Sequence, residues 1–305
     1  MRRGAVGRVM VFKIKQMILW VAYRVDQWLP RGLGVCIRNR CWPWRPVLDA
    51  VELHLADRCN MNCTGCSHFS PFADEWYASV EDVGRDLRAL RAKFAGGIRH
   101  VNLLGGEPLL NRDVCAIIDR VKAECPEALV TVVTNGLVLL EQPPEFWEVC
   151  RRAGVRLNLT LYKPVVPKRK AIEERCRQER VSLRVQEGDE FFARMVPGGT
   201  VDAAAAFRFC RKTTYCPYLR EGRLYRCAQA YHIRDFARAV RDSGAEMPDV
   251  FDNGLDLQKT DLSGMGILRH LMTPGGACKF CAARVRLMAW SNGSQDVRDW
   301  CLKRG

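Results

Sequence analysis

The chain has 305 residues, is 48% hydrophobic and 27% charged, and carries 48 Lys+Arg against 34 Asp+Glu for a formal net charge of +14. That composition belongs to a globular protein with room for a sizeable core, and it excludes collagen, long disordered tails and low-complexity arrays. No repeat recurs at a fixed period, and no run of about 18 apolar residues marks a membrane-spanning helix.

The charge is uneven. Residues Met1–Arg45 hold ten Lys/Arg and one acid, Asp26, so the basic balance mainly describes an N-terminal arm. Ile14, Ile18, Val21, Val25 and Trp28 fall on one helical face, and Pro30 ends the helix. That face either packs on the body or lies on an anionic membrane surface as a monotopic helix. The 15 cysteines are the outstanding number. An odd count cannot pair completely, and the N-terminus makes a poor secretory signal. The cysteines therefore read as metal ligands, catalytic groups or small core residues of a cytoplasmic protein.

A Pro- and Trp-rich linker at 41–46 leads into an alternation. Strands are expected at 51–56, 98–104, 129–134, 155–161 and 181–186, with helices at 80–94, 114–123, 145–152 and 168–180 between them. Such alternation implies parallel strands. Five units are too few for a closed eight-stranded barrel, which leaves an open partial barrel or a doubly wound sheet. Beyond Gln186 the pattern fails. Residues 188–206 read as a connector, Tyr218–Arg226 as a hairpin turning at Glu221-Gly222, and 241–276 as loop. Three regions follow: a basic helix and linker (1–46), an α/β barrel (47–195) and a small cysteine-rich domain (196–305) with limited core.

The strongest chemical signal is Cys59, Cys63 and Cys66, a C-x3-C-x2-C loop directly after the first strand. Three thiolates on a short loop can hold three irons of a [4Fe–4S] cube and leave the fourth open. Zinc remains an alternative for this loop, with His68 as a fourth ligand. The second strand ends in Gly105-Gly106-Glu107-Pro108 and the third in Thr134-Asn135-Gly136. Alone each is a turn; placed after successive parallel strands, they converge on one rim. His54, on the first strand, reads as a satisfied core or polar histidine.

On these motifs the sequence resembles the radical S-adenosylmethionine (SAM) superfamily over about residues 50–190. The resemblance implies a partial (β/α)6 TIM-type barrel whose cysteine loop carries a SAM-binding [4Fe–4S] cluster. Reduction there splits SAM, and the resulting 5′-deoxyadenosyl radical abstracts hydrogen from substrate. Gly105, Gly106, Glu107 and Pro108 would meet the methionine amino group, and Asn135 and Asn158 would lie near ribose, adenine or substrate. Gly65 departs from the family's usual aromatic before the third cysteine; Phe69 is expected to stand in for it.

Cys210, Cys216, Cys227, Cys278 and Cys281 are similar to the cysteines of a twitch domain, a shortened relative of the SPASM domain. That likeness implies an auxiliary [4Fe–4S] cluster on Cys227, Cys278, Cys281 and either Cys210 or Cys216; a structural zinc is the alternative. A cluster closing long loops would also supply folding free energy that a thin core lacks.

The expected activity is an oxidoreductase or epimerase acting on a sugar, aminocyclitol or nucleotide-linked sugar. A flavodoxin- or ferredoxin-type donor supplies the electron. A peptide maturase is the second reading. A non-catalytic iron–sulfur or zinc scaffold that binds nucleic acid through the basic arm is the third, and it leaves Gly105–Pro108 unexplained; no nucleic-acid partner is expected.

Overall fold

The computed structural model describes Ile37 and residues 39–210, 217–249 and 252–302. The amphipathic segment of the N-terminal arm and Cys216 lie outside the described residues. Among the described residues, no helix is long and apolar enough to cross a membrane.

The first strand, β1 (Leu48–Ala56), is buried along most of its length, as a central parallel strand must be. It is followed by β2 (Ile98–Gly105), β3 (Leu129–Thr134), β4 (Arg156–Leu161) and β5 (Ser182–Glu187), each parallel to the one before. The connections are α1 (Val80–Lys93), α2 (Val114–Glu124), α3 (Pro144–Ala153) and α4 (Arg169–Gln178). α1 starts where the Ser79 hydroxyl accepts the Asp82 N–H, with Glu81 and Asp82 at the positive end of the helix. Val83, Leu87 and Leu90 of α1, Ile117, Ile118 and Val121 of α2, and Phe146 and Trp147 of α3 face the sheet in one apolar core.

The remaining elements are β6 (Glu190–Met195), α5 (Ala203–Phe209), β7 (Tyr218–Arg220), β8 (Arg223–Tyr225), α6 (Ala228–Asp242), β9 (Leu255–Asp256), α7 (Gly264–Leu271) and β10 (Cys281–Ala289). The large sheet runs β5-β4-β3-β2-β1-β7-β8-β9. This is an α/β fold with a parallel core of the partial TIM-barrel type. A sixth parallel strand, β7, pairs with β1. It opens the expected hairpin, whose turn residues Glu221 and Gly222 both have positive φ (53° and 71°), the geometry of a two-residue hairpin loop.

Beyond β5 the structure is more ordered than expected. The supposed connector at 188–206 contains β6 and the start of α5, and the supposed loop at 241–276 contains β9 and α7. β6 pairs antiparallel with β10, so the two sides of the expected 195/196 boundary share a sheet. The cysteine-rich region also has a core of its own, with Met195, Ile233, Phe236, Val240, Phe280 and Trp300. β6 and β10 pair with each other across a long stretch of chain, and β9 has only two residues, so local periodicity carries little signal for them.

Candidate iron–sulfur and SAM site

The rim above β1, β2 and β3 is tied together through the backbone. The Gly106 N–H donates to Ala56 O (2.8 Å) and the Glu107 N–H to Arg58 O (3.0 Å). Gly105 has φ of 140°, and a Cβ there would stand 2.1 Å from Ala56 O, so only glycine lets β2 pass the end of β1 this closely. Above this junction Cys59, Cys63, Cys66, Gly105, Gly106 and Asn135 line one cavity of about 250 Å³. The three loops that the sequence places at strand ends therefore meet.

The sulfurs face N–H donors. Met61 N–H (3.4 Å) and the Asn135 side-chain amide (3.5 Å) point at Cys59 Sγ, and the Trp290 indole N–H points at Cys63 Sγ (3.1 Å). Burial still pushes the Cys59 thiol up to about 12 and the Cys63 thiol up to about 11. A bound cation would turn such thiols into thiolates, and the donors are arranged to stabilise that charge. Four thiolates around one zinc would lie about 3.8 Å apart. Among the described residues, one set of three His, Cys, Asp or Glu ligand atoms closes to within 4.8 Å, namely His54, Asp57 and His232; no cysteine set does. The wider cysteine spacing suits a cluster better than a single ion.

Asn135 is the hub of the rim. Its side-chain amide also donates to Asn60 Oδ1 (2.7 Å), its Oδ1 accepts from Leu137 N–H (2.9 Å), and its own N–H donates to Glu107 Oε2 (2.8 Å). Glu107 stands apart from the cavity lining. It is fully buried beneath the rim and accepts from Leu109 N–H (3.1 Å), the Thr134 hydroxyl (2.7 Å) and Asn135 N–H. Burial lifts it to about 7 despite those three donors. In this structure Glu107 braces the second loop to the third, and it does not line the cavity; neither does Pro108, buried at the start of a short 3-10 turn. Asn158 also lies off the cavity, on β4 two residues below the lining residue Thr160, with a buried Oδ1 that lacks a hydrogen bond.

Phe69 does not stand in for an aromatic at position 65. It is buried and stacks on Phe236 in the second core, with ring centroids 5.0 Å apart. Gly65, at φ 77°, holds a backbone conformation that strains any residue with a side chain, and a Cβ there would press on the flexible end of Met288 (2.3 Å from Cε). The aromatic wall of the cavity comes instead from Tyr162 and Phe191, whose centroids are 5.9 Å apart.

The C-terminal segment was not anticipated at this site. Besides Trp290, the Trp300 indole donates to Cys66 O (2.9 Å), and Asn62 N–H donates to Asn292 Oδ1 (2.8 Å). Thr64 N–H reaches Ser291 O (3.0 Å), and Gly293 N–H reaches Asn62 O (2.8 Å). These contacts join segments more than 200 residues apart, so no local sequence pattern marks the strap.

A second, smaller cavity of about 30 Å³ gathers Cys210, Cys227, Cys278 and Cys281. Cys210 caps the end of α5, Cys227 the start of α6, Cys278 sits in a 3-10 turn and Cys281 begins β10. Gly275 N–H points at Cys278 Sγ (3.4 Å). Cys301 is apart from this group and donates to Val297 O (3.3 Å).

A parallel-strand barrel with an open cysteine triad at its C-terminal rim defines a class of protein built to hold an iron–sulfur cluster beside a small-molecule cavity. Residues 53–164 match the family described as the Radical SAM superfamily, whose members use a [4Fe–4S] cluster and SAM. The GTP 3′,8-cyclase of Lactiplantibacillus plantarum is 36% identical over 117 residues, covering 37% of this chain and 33% of that protein. The GTP 3′,8-cyclase of Geobacter sulfurreducens is 33% identical over 118 residues, covering 37% and 34%. The match thus spans about a third of the length of these relatives. Among solved structures, BtrN in complex with AdoMet and 2-DOIA has a TM-score of 0.50 at 14% identity over 78% of this chain and 94% of that one, a likeness of fold.

Proposed function

We propose that the chain is a radical SAM enzyme that abstracts hydrogen from a hydroxyl-bearing substrate such as a sugar or aminocyclitol, with oxidation or epimerisation as the outcome. The observation that carries this reading is the convergence of Cys59, Cys63 and Cys66 with Gly105, Gly106 and Asn135 on one cavity. Cys59, Cys63 and Cys66 would hold the [4Fe–4S] cluster and leave one iron for SAM. Cys210, Cys227, Cys278 and Cys281 would hold an auxiliary cluster. When bound, the first cluster and SAM supply an electron and a hydrogen-abstracting carbon radical.

The protein's own part is positioning. The backbone at Gly105 and Gly106 approaches the ligand without side chains, and Asn135 orients the cysteine loop. Tyr162 and Phe191 offer ring faces to an adenine base. His68, Ser70, Thr134, Thr160 and Gln186 add neutral hydrogen-bonding groups to the wall. No Lys, Arg, Asp or Glu lines this cavity among the described residues. A nucleotide-linked sugar would bring phosphates that favour arginine or lysine, so the lining favours a substrate without phosphate.

The test is anaerobic reconstitution with iron and sulfide, followed by SAM and a chemical reductant, with 5′-deoxyadenosine measured by mass spectrometry. Formation of 5′-deoxyadenosine that rises with a panel of sugars and aminocyclitols supports the reading. Absence of 5′-deoxyadenosine from protein with full iron and sulfide would reject it.

A further inference from the structure

A second metal centre lies behind the cysteine rim. His54 on β1, Asp57 just beyond it and His232 on α6 converge in the interior, with only 3%, 7% and 1% of their surfaces exposed. His54 Nδ1 and His232 Nε2 are 3.0 Å apart. Asp57 Oδ1 lies 3.6 Å from His54 Nδ1 and 3.7 Å from His232 Nε2. One edge of this triangle is a hydrogen bond. The other two are too long for one, yet a carboxylate oxygen faces both ring nitrogens.

The dimensions suit an ion. Nitrogen and oxygen ligands bind zinc at about 2.0–2.2 Å, which puts tetrahedral neighbours roughly 3.3–3.6 Å apart. The point equidistant from the three atoms lies about 2.0 Å from each. The surroundings also fit. His232 Nδ1 is 3.2 Å from Asp235 Oδ2, the carboxylate–histidine arrangement that fixes the tautomer of a metal-binding imidazole. Asp57 is also held by Arg220, whose Nη1 lies 2.9 Å from Oδ1 and 2.7 Å from Oδ2. A carboxylate has about four acceptor positions, so Oδ1 can bind an ion while Arg220 stays in place. The guanidinium is itself sandwiched, 3.4 Å from the Trp76 ring centroid and 4.7 Å from that of Tyr231. Asp57 and Asp235 bring two carboxylates to a dication, and Arg220, which offsets part of that charge, is shared with Glu221 (3.3 Å).

We infer that His54, Asp57 and His232 form a binding site for a divalent transition metal that prefers nitrogen and oxygen ligands, with zinc the best match. The site joins β1, just before the Cys59–Cys66 loop, to α6, just after Cys227. Such an ion would fix the two cysteine sites relative to each other.

The experiment adds zinc, as the only probe, to protein whose clusters have already been reconstituted. After gel filtration, zinc, iron and sulfide are counted, and zinc K-edge absorption fine structure is recorded on the wild type. The expected result is about one zinc per chain in a nitrogen/oxygen shell at about 2.0–2.1 Å, with iron and sulfide unchanged. His54→Ala and His232→Ala should each cut retained zinc at least tenfold at unchanged iron. A sulfur shell at about 2.3 Å would place the zinc on cysteines and overturn the site. So would a wild type that retains no zinc, or variants that retain as much as the wild type. The wild-type spectrum decides the matter even if a variant misfolds.

Discussion

The two cysteine sites are assembled in opposite ways. Cys59, Cys63 and Cys66 share one loop with turns of its own: Cys66 N–H donates to Cys63 O (3.2 Å), Phe69 N–H to Cys66 O (3.1 Å), and Met61 N–H points at Cys59 Sγ, while Asn135 and the C-terminal segment brace it from outside. Cys210, Cys227, Cys278 and Cys281 come from the ends of two helices, a 3-10 turn and a strand, and meet only because those elements pack together. A preformed loop can bind a cluster without moving the fold. A site gathered from several elements also staples them, so its loss is felt as stability.

The sharpest way to break that comparison is to remove one ligand from each site. Cys63→Ala should lower SAM cleavage by roughly a thousandfold or more, equivalent to about 4 kcal/mol of barrier. Iron should fall to about half of the two-cluster content, and the melting temperature should barely change. Cys281→Ser should also halve the iron, but SAM cleavage without substrate should persist while the melting temperature drops by several degrees. Each kcal/mol lost corresponds to about 2–4 °C or less in a chain of this size. Iron analysis, 5′-deoxyadenosine assay and anaerobic thermal unfolding check both variants. Equal thermal losses in the two would undo the distinction.

The same contrast explains what the sequence made legible. β1 to β3 bury most of their residues, β4 and β5 alternate, and amphipathic helices lie between them, so β1 to β5 and the rim loops emerge from periodicity and turn residues. The metal-ligand spacing of Cys59–Cys66 is written within a single loop. Glu107 was placed on the rim, but spacing does not reveal that Thr134 and Asn135 hold its carboxylate beneath it. β6 and β10 stayed hidden because their pairing is non-local, and Phe69 was misjudged because its partner Phe236 lies on a helix far along the chain. Contacts of that kind depend on topology, which no local pattern encodes.

A smaller effect tests the brace between the rim loops. The Thr134 hydroxyl donates to Glu107 Oε1 (2.7 Å) and accepts from Gly136 N–H (3.0 Å). Thr134→Val leaves both buried groups short of a partner and should cost about 1–3 kcal/mol. The pH dependence follows from Glu107, which burial lifts from the ordinary carboxylate value of 4.5 to about 7. Between those values the folded protein keeps a proton that the unfolded chain has released. Stability from this group is therefore greatest below 4.5, falls as pH rises to about 7, and levels off above. Losing the Thr134 donor raises Glu107 further, so the variant's deficit should be larger at pH 8 than at pH 5. Urea unfolding at the two pH values measures it; a larger deficit at pH 5 would contradict the brace.

The smallest predicted effect concerns the point where the local loop is completed by a distant segment. Trp290 and Trp300 both reach back to the first site, but to different atoms: one indole N–H meets Cys63 Sγ at 3.1 Å, the other Cys66 O at 2.9 Å. Hydrogen bonds to cluster sulfurs raise a cluster's reduction potential, because they stabilise the added negative charge. Trp290→Phe keeps the packing and deletes only the donor, so the potential of the first cluster should become more negative. Trp300→Phe removes a backbone tie instead. It should leave the potential unchanged and lower stability by about 1 kcal/mol. An anaerobic redox titration followed by electron paramagnetic resonance, paired with an unfolding measurement, separates the two. A shift in Trp300→Phe as large as in Trp290→Phe would mean that the C-terminal strap acts on the loop's shape rather than on the sulfur's charge.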